Sequence, residues 1–173
     1  MYCIVLCCCV FCTIGNFCLP GNSTLLVAPD DEWNSWNVLG DPVLHIDLCH
    51  WADLILVAPL SAHTLAKVAQ GLCDDTLTCV LRAWDLGHGL RPGKPCMVAP
   101  AMNTAMYEHP LTSAQLKTVK GFWKDTSQCV VVPPIVKLLA CGDVGIGALA
   151  ALDTIVTTAK QQLQGLSMSM VDD

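Results

Sequence analysis

From Leu25 onward, short apolar runs alternate with stretches of helical spacing, the pattern of a parallel sheet flanked by helices. The run Asp53-Leu54-Ile55-Leu56-Val57-Ala58-Pro59 is continuously apolar after its first residue, which predicts a central strand buried on both faces and ended by proline. Cys96 to Ala99 repeats that pattern, again with a proline behind it. Cys129 to Val132 predicts a third strand, and Leu25 to Ala28 is a short further candidate. Helices fill the intervals. Asp30 can cap one that carries Trp33 and Trp36 three apart and is broken by Gly40-Asp41-Pro42. Ser61 or Thr64 can cap the next, with Leu65 and Val68 on one face and Gly71 as its stop. Asp74 opens another through Trp84, Thr112-Ser113-Ala114-Gln115 reads as a capping box, and Asp153 can cap a closing helix through Gln164. The order fits an α/β fold, a three-layer doubly wound parallel sheet.

At 173 residues the chain has the length of one domain. The pattern divides it into an atypical apolar, cysteine-rich segment over 1–24, a folded domain over 25–165 and a short tail over 166–173. Charge removes one class of partner. Nine basic against fifteen acidic residues leave a net charge of -6 with no Lys/Arg cluster, so the electrostatic footprint of a nucleic-acid binder is missing. The mean hydropathy of +0.51 argues for extensive burial, contacts between subunits or a membrane-directed segment. Of the twelve cysteines, six crowd into the first eighteen residues; the other six, Cys49, Cys73, Cys79, Cys96, Cys129 and Cys141, are scattered and show neither a CxxC pair nor a Cys/His spacing that would hold a metal. They read as reduced thiols of a cytoplasmic protein. The run from Cys3 to Leu19 imitates a signal peptide but lacks a basic leading region and is interrupted by Gly15 and Asn16. It reads as an atypical amino terminus more than as a targeting signal, and as a membrane span it is marginal in length.

In sheets of this kind ligands lie beyond the carboxyl ends of the strands, and the three loops there are unusual. Pro100-Ala101-Met102-Asn103-Thr104-Ala105-Met106-Tyr107 follows one strand; Asn103 there offers a neutral amide donor suited to a carboxylate, or simply a helix cap. Ala58-Pro59-Leu60-Ser61-Ala62-His63-Thr64 follows another and places hydroxyls and backbone amides at a helix start. Asp41-Pro42-Val43-Leu44-His45-Ile46-Asp47-Leu48 precedes it; taken alone, His45 is a hydrogen-bonded core histidine more readily than a base. The third loop, from Pro133 to Ala150, carries Gly142, Gly145 and Gly147, the composition of a mobile flap, with Cys141 beside them as an ordinary small residue or a weak acid. A packing role and a binding role are both open for Trp84.

Together these stretches resemble the flavin-containing cysteine decarboxylases of the phosphopantothenoylcysteine decarboxylase and halotolerance-protein family, from about Asp31 to Ala150. The resemblance implies a flavodoxin or Rossmann-like fold, FMN as cofactor, and decarboxylation of 4'-phosphopantothenoylcysteine to 4'-phosphopantetheine on the way to coenzyme A. It assigns catalysis to His45 and Cys141, substrate binding to Ala101, Asn103 and Met106, and cofactor contacts to Ser61, Ala62, His63, Thr64, Arg82 and Ala83. It also implies a homotrimer with flavin at the subunit boundaries. Several positions depart from the family's pattern: Tyr107 stands for tryptophan, His63 for asparagine, Cys49-His50 for a basic pair, and Ala151 for an acid. The glycine/serine turn that cradles the flavin phosphate, and with it the first strand–helix unit, is not legible in residues 1–24. A second function therefore stands beside the first: a non-catalytic relative acting as a regulatory or heterotrimer subunit, of the phosphatase-inhibiting kind.

Overall fold

The computed structural model describes residues 3–6, 12–15, 24–27, 36–89, 93–138 and 144–169. In chain order the elements are β1 (Cys3–Leu6), β2 (Cys12–Gly15), β3 (Thr24–Val27), α1 (Leu44–Trp51), β4 (Leu54–Leu60), α2 (Ala62–Gln70), α3 (Thr76–Ala83) and β5 (Cys96–Pro100). There follow α4 (Thr104–Glu108), α5 (Pro110–Lys120), a 3-10 turn at Thr126–Gln128, β6 (Cys129–Val131), β7 (Ile135–Leu138), β8 (Val144–Ala148) and α6 (Leu152–Ser169). The main sheet is parallel, in the order β1-β4-β5-β6. Two antiparallel pairs, β2 with β3 and β7 with β8, stand apart from it.

The apolar strands are buried from both sides, because successive side chains leave a strand in opposite directions. Ile55, Val57, Cys96, Val98 and Cys129 face one core with Leu48 of α1, Leu65 of α2 and Val80 of α3. Leu54, Leu56, Met97 and Ala99 face the other, closed by Ile155, Ala159 and Leu163 of α6. Three layers result, as the alternation of runs and helices predicts.

Several boundaries differ from the sequence reading. β4 runs one residue past Pro59 to Leu60, with a register shift between Val57 and Leu60. The helix expected to open at Asp74 is capped by Asp75, which forms a full capping box with Thr78. Thr112 does not open a helix: α5 starts two residues earlier, since Pro110 is preorganised for the first helical position and His109 Nδ1 accepts from the Leu111 N–H. The Thr112 hydroxyl instead lies within α5 and donates to the Met106 carbonyl of α4. Asp153 likewise lies within the first turn of α6, which continues past Gln164 to Ser169. At the amino end, Thr24–Val27 pairs with β2 and not with the main sheet. The edge of β4 that the sequence leaves without a first strand is taken by Cys3–Leu6, in parallel register from Cys3 opposite Leu54 to Leu6 opposite Val57. The helix expected to be capped by Asp30 lies outside the described residues up to position 35, and Trp36, Asn37, Val38 and Leu39, which are described, are in no helix.

Lys94 ties the loop ahead of β5 to the end of α1. Its ammonium donates to the carbonyls of Cys49 (2.7 Å) and Ala52 (2.8 Å), and its own carbonyl accepts from the indoles of Trp84 (3.0 Å) and Trp123 (2.8 Å). Replacing the ammonium strands those helix-end carbonyls, and hydrogen bonds to a charged donor contribute about 1.5–3 kcal/mol. Lys94→Met is therefore expected to lower unfolding stability by about that amount in urea titrations, whereas an unchanged midpoint would mean the carbonyls are satisfied by water.

Candidate active site at the carboxyl edge of the sheet

Three loops are stitched together where β4 and β5 end. The Ala101 N–H donates to the Leu60 carbonyl at 3.0 Å, and the Met102 N–H donates to the Gly147 carbonyl at 2.9 Å. The first bond sets the start of α2 beside the turn that carries Asn103. The second seats the β7–β8 hairpin, built by the glycine-rich loop, on that same turn. Adjacent parallel strands thus bring Ser61 to the same edge as Ala101 and Asn103, although it is far from them in sequence.

At the first loop Ser61 caps α2, its Oγ accepting from the Thr64 N–H at 3.1 Å and donating to Thr64 Oγ1 at 3.1 Å. Thr64 is buried, so its hydroxyl serves the cap, while His63 is exposed and Ala62 half-buried. The amides of Ala62 and His63 belong to the first turn, where an N–H has no acceptor inside the helix. This donor set is neutral and free of carboxylates, and it fits the hydrogen-bonding edge of a flavin ring. The cation of α2, Lys67, is held by Asp74 at 2.7 Å and Asp75 at 3.0 Å.

Asn103 caps α4, its Oδ1 accepting from the Ala105 N–H at 2.8 Å. The cap and the carboxylate-binding roles are compatible, because the cap is made by the side-chain oxygen, which accepts, whereas a carboxylate is met by the amide nitrogen, which donates. Beside it opens a cavity of about 450 Å³ lined by Asn103, Thr104, Ala105, Glu108 and Val144. The Thr104 hydroxyl is buried there without a hydrogen-bond partner among the described residues. Leaving such a group unsatisfied costs about 1–3 kcal/mol, so a polar ligand that reaches it gains by that amount. Gly145 lies over the hydroxyl: a Cβ at Gly145 would collide with Thr104 Oγ1, and one at Gly147 with the Met102 carbonyl. Met106 is largely exposed and Ala101 half-buried.

Other predicted residues lie elsewhere in the chain. His45 is half-buried in the first turn of α1, which packs on α3 rather than on α4. Arg82 and Ala83 end α3 and are exposed; Arg82 borders a separate cavity on the helical layer. Cys141 falls outside the described residues. Cys49, which stands where the resembling family has a basic residue, is turned into the core, its thiol donating to the Val80 carbonyl at 3.3 Å. Burial pushes that thiol up to about 11, against the nearby Lys94 charge. Sequence reading missed Thr104, whose role depends on a hairpin glycine folded over it, and Lys94, hidden between Gly93 and Pro95 in what looks like an ordinary loop.

Burial alone would raise the Asp75 carboxyl, but the Thr78 N–H and hydroxyl and the Lys67 ammonium outweigh it and hold the group below its ordinary 3.8. A depressed acid stabilises the fold above its ordinary value, and that contribution disappears as pH falls through the lower folded value. Asp75→Asn is thus expected to be less stable than the parent chain near neutrality, with the gap narrowing once pH drops below 3.8. Parallel stability curves at all pH values would show that the carboxyl does not titrate with folding.

The sequence matches the model of the Flavoprotein family over residues 22–164. It is 52% identical over 138 residues to phosphopantothenoylcysteine decarboxylase from Mus musculus, covering 80% of this chain and 62% of the relative. It is 50% identical over 147 residues to the protein of the same name from Oryza sativa subsp. japonica, covering 85% and 61%. The chain thus spans about three-fifths of the length of these curated relatives. Among solved structures it superposes on a PPC decarboxylase variant complexed with pantothenoylaminoethenethiol, with a TM-score of 0.70, 47% identity and coverage of 79% of this chain and 69% of the other. The FMN binding protein AtHal3 gives a TM-score of 0.66 at 47% identity, covering 79% and 68%.

Proposed function

Because the chain belongs to the Flavoprotein family, we propose that it is an FMN-dependent carboxy-lyase that converts 4'-phosphopantothenoylcysteine to 4'-phosphopantetheine in coenzyme A biosynthesis. The observation that carries this reading is the Asn103 turn. It holds a neutral amide and an unsatisfied Thr104 hydroxyl beside a cavity, with the start of α2 on one side and the glycine hairpin on the other.

Bound FMN supplies reversible two-electron redox chemistry at the cysteinyl carbon and sulfur, which makes the carboxylate able to leave. Ser61, Ala62, His63 and Thr64 would hold its ring edge. Asn103 positions the carboxylate with a neutral donor; a cation there would stabilise the charged group against departure. Ala101 and Met106 line the same turn and shape the space for the cysteinyl arm. When the C–C bond breaks, CO2 leaves and the electron pair stays on carbon, which then needs a proton. The Cys141 thiol is the donor proposed for that proton, since a weak acid near neutrality transfers it readily once a flap excludes water. His45 serves substrate orientation. The relatives of the same name, at half identity, support the substrate and reaction; the high mean hydropathy supports a homotrimer in which α1 of one subunit brings His45 to its neighbour's site. Five free cysteines among the described residues support a reducing, cytoplasmic setting.

The reading is tested by incubating the purified chain with FMN, passing it through gel filtration, and recording its absorbance across the near-ultraviolet and visible. Flavin retained in a trimer-sized peak is the expected result. A colourless, well-folded peak would sink the enzymatic reading and leave a regulatory or heterotrimer subunit in its place.

A further inference from the structure

A second cavity, of about 310 Å³, lies on the helical layer between α2, α3 and the end of α5. Its walls are mostly apolar, with Val68, Leu81, Leu86 and Phe122 among them, and the polar side chains of Thr78, Arg82 and His88 border it. The start of α2 serves the site at the carboxyl edge, whereas Gly71, at the other end of that helix, borders this cavity. Ten residues of helix put about 15 Å between the two.

The walls are fixed. Gly71 stops α2 in the left-handed conformation, at φ 75°, and its N–H returns to the Lys67 and Val68 carbonyls. The His88 ring holds the Phe122 carbonyl at 2.7 Å, so Nε2 carries the proton. The Trp123 indole is anchored on the Lys94 carbonyl. Behind His88, the backbones of Gly87 and Gly93 touch so closely that a Cβ on either would collide with the other. A cavity whose walls are bonded in place needs little reorganisation on binding. Its volume lies at the low end of the range of roughly 300–1,000 Å³ typical of small-molecule sites, which suits one compact molecule and not a dinucleotide.

We infer that this cavity is a second ligand site, taking a compact aromatic carboxylate whose ring lies among Val68, Leu81, Leu86 and Phe122 and whose acid meets Arg82. Among the described residues no carboxylate pairs with Arg82; the neighbouring acids Asp74 and Asp75 are both engaged by Lys67. A planar guanidinium at the lip of an apolar slot selects a planar acid, because it can give two parallel hydrogen bonds to it. Leu72, 55% exposed beside the mouth, is apolar surface that such a ring would cover.

The test uses the full chain with FMN present and 2-naphthoate as probe, followed by calorimetry and by peptide-level mass spectrometry of iodoacetamide labelling at Cys73, which lines the cavity and is exposed. The wild-type chain is expected to bind 2-naphthoate and to lose most of its Cys73 labelling at saturation, with bound flavin absorbance unchanged. Arg82→Gln is expected to weaken that binding by about tenfold or more, and the neutral 2-naphthamide should bind both proteins equally. The inference is overturned by the absence of binding at millimolar probe, by equal affinity of wild type and Arg82→Gln for the acid, or by full Cys73 labelling at saturation.

Discussion

Asn103→Asp is expected to cut kcat/KM for decarboxylation by about a hundred- to a thousandfold while leaving the fold intact. The side-chain oxygen of Asn103 accepts from the Ala105 N–H and so caps α4. Aspartate is as good a cap as asparagine, so the structural task survives the substitution. What is lost is the amide donor, and a negative charge arrives where the substrate carboxylate must sit. Two like charges in one small site repel, and each also loses solvation. Far-ultraviolet dichroism and urea midpoints should be unchanged while turnover collapses. If activity persisted at the parent level with the cap intact, Asn103 would be a helix cap and nothing more.

Gly147→Ala is the second large effect. The glycine adopts φ 139°, a conformation that L side chains rarely enter, and a Cβ there would strike the Met102 carbonyl oxygen. Strain of that kind costs about 1–3 kcal/mol. The collision is with backbone, which cannot swing aside, so relief requires the hairpin to lift from the turn and break the bond between the Met102 N–H and the Gly147 carbonyl. Loss of decarboxylation should follow, together with faster hydrogen exchange of the Met102 amide. Gly165→Ala provides the contrast: that position is exposed in α6 with open space around it, so alanine should raise stability by about 0.5–1 kcal/mol. Equal behaviour of the two variants would mean that the hairpin is not docked as described.

The strands were legible because burial on both faces leaves a plain mark: Leu54 to Val57 and Cys96 to Ala99 are apolar throughout and end at prolines. The Ser61 cap and the Gly71 stop were legible for the same local reason, since each acts within a few residues of itself. Thr112 misled because its capping pattern competes with Pro110, whose fixed φ starts the helix first. Cys3–Leu6 was not legible as a sheet strand: its pairing partner lies some fifty residues away, and its apolar run reads equally as a leader. At the site, the motif around Asn103 is local and readable, whereas the Thr104–Gly145 contact depends on a hairpin returning across the turn. The resemblance places Arg82 at a flavin on a subunit boundary; within one chain α3 carries it to the rim of the cavity beside Gly71 and His88.

The direct measurement is turnover: the full chain incubated with FMN and 4'-phosphopantothenoylcysteine, with CO2 and organic product quantified by mass spectrometry. Equimolar CO2 and 4'-phosphopantetheine, formed only when FMN is present, are the expected result. A chain that retains FMN and its fold yet releases no CO2 above the blank would contradict the assignment of a decarboxylase.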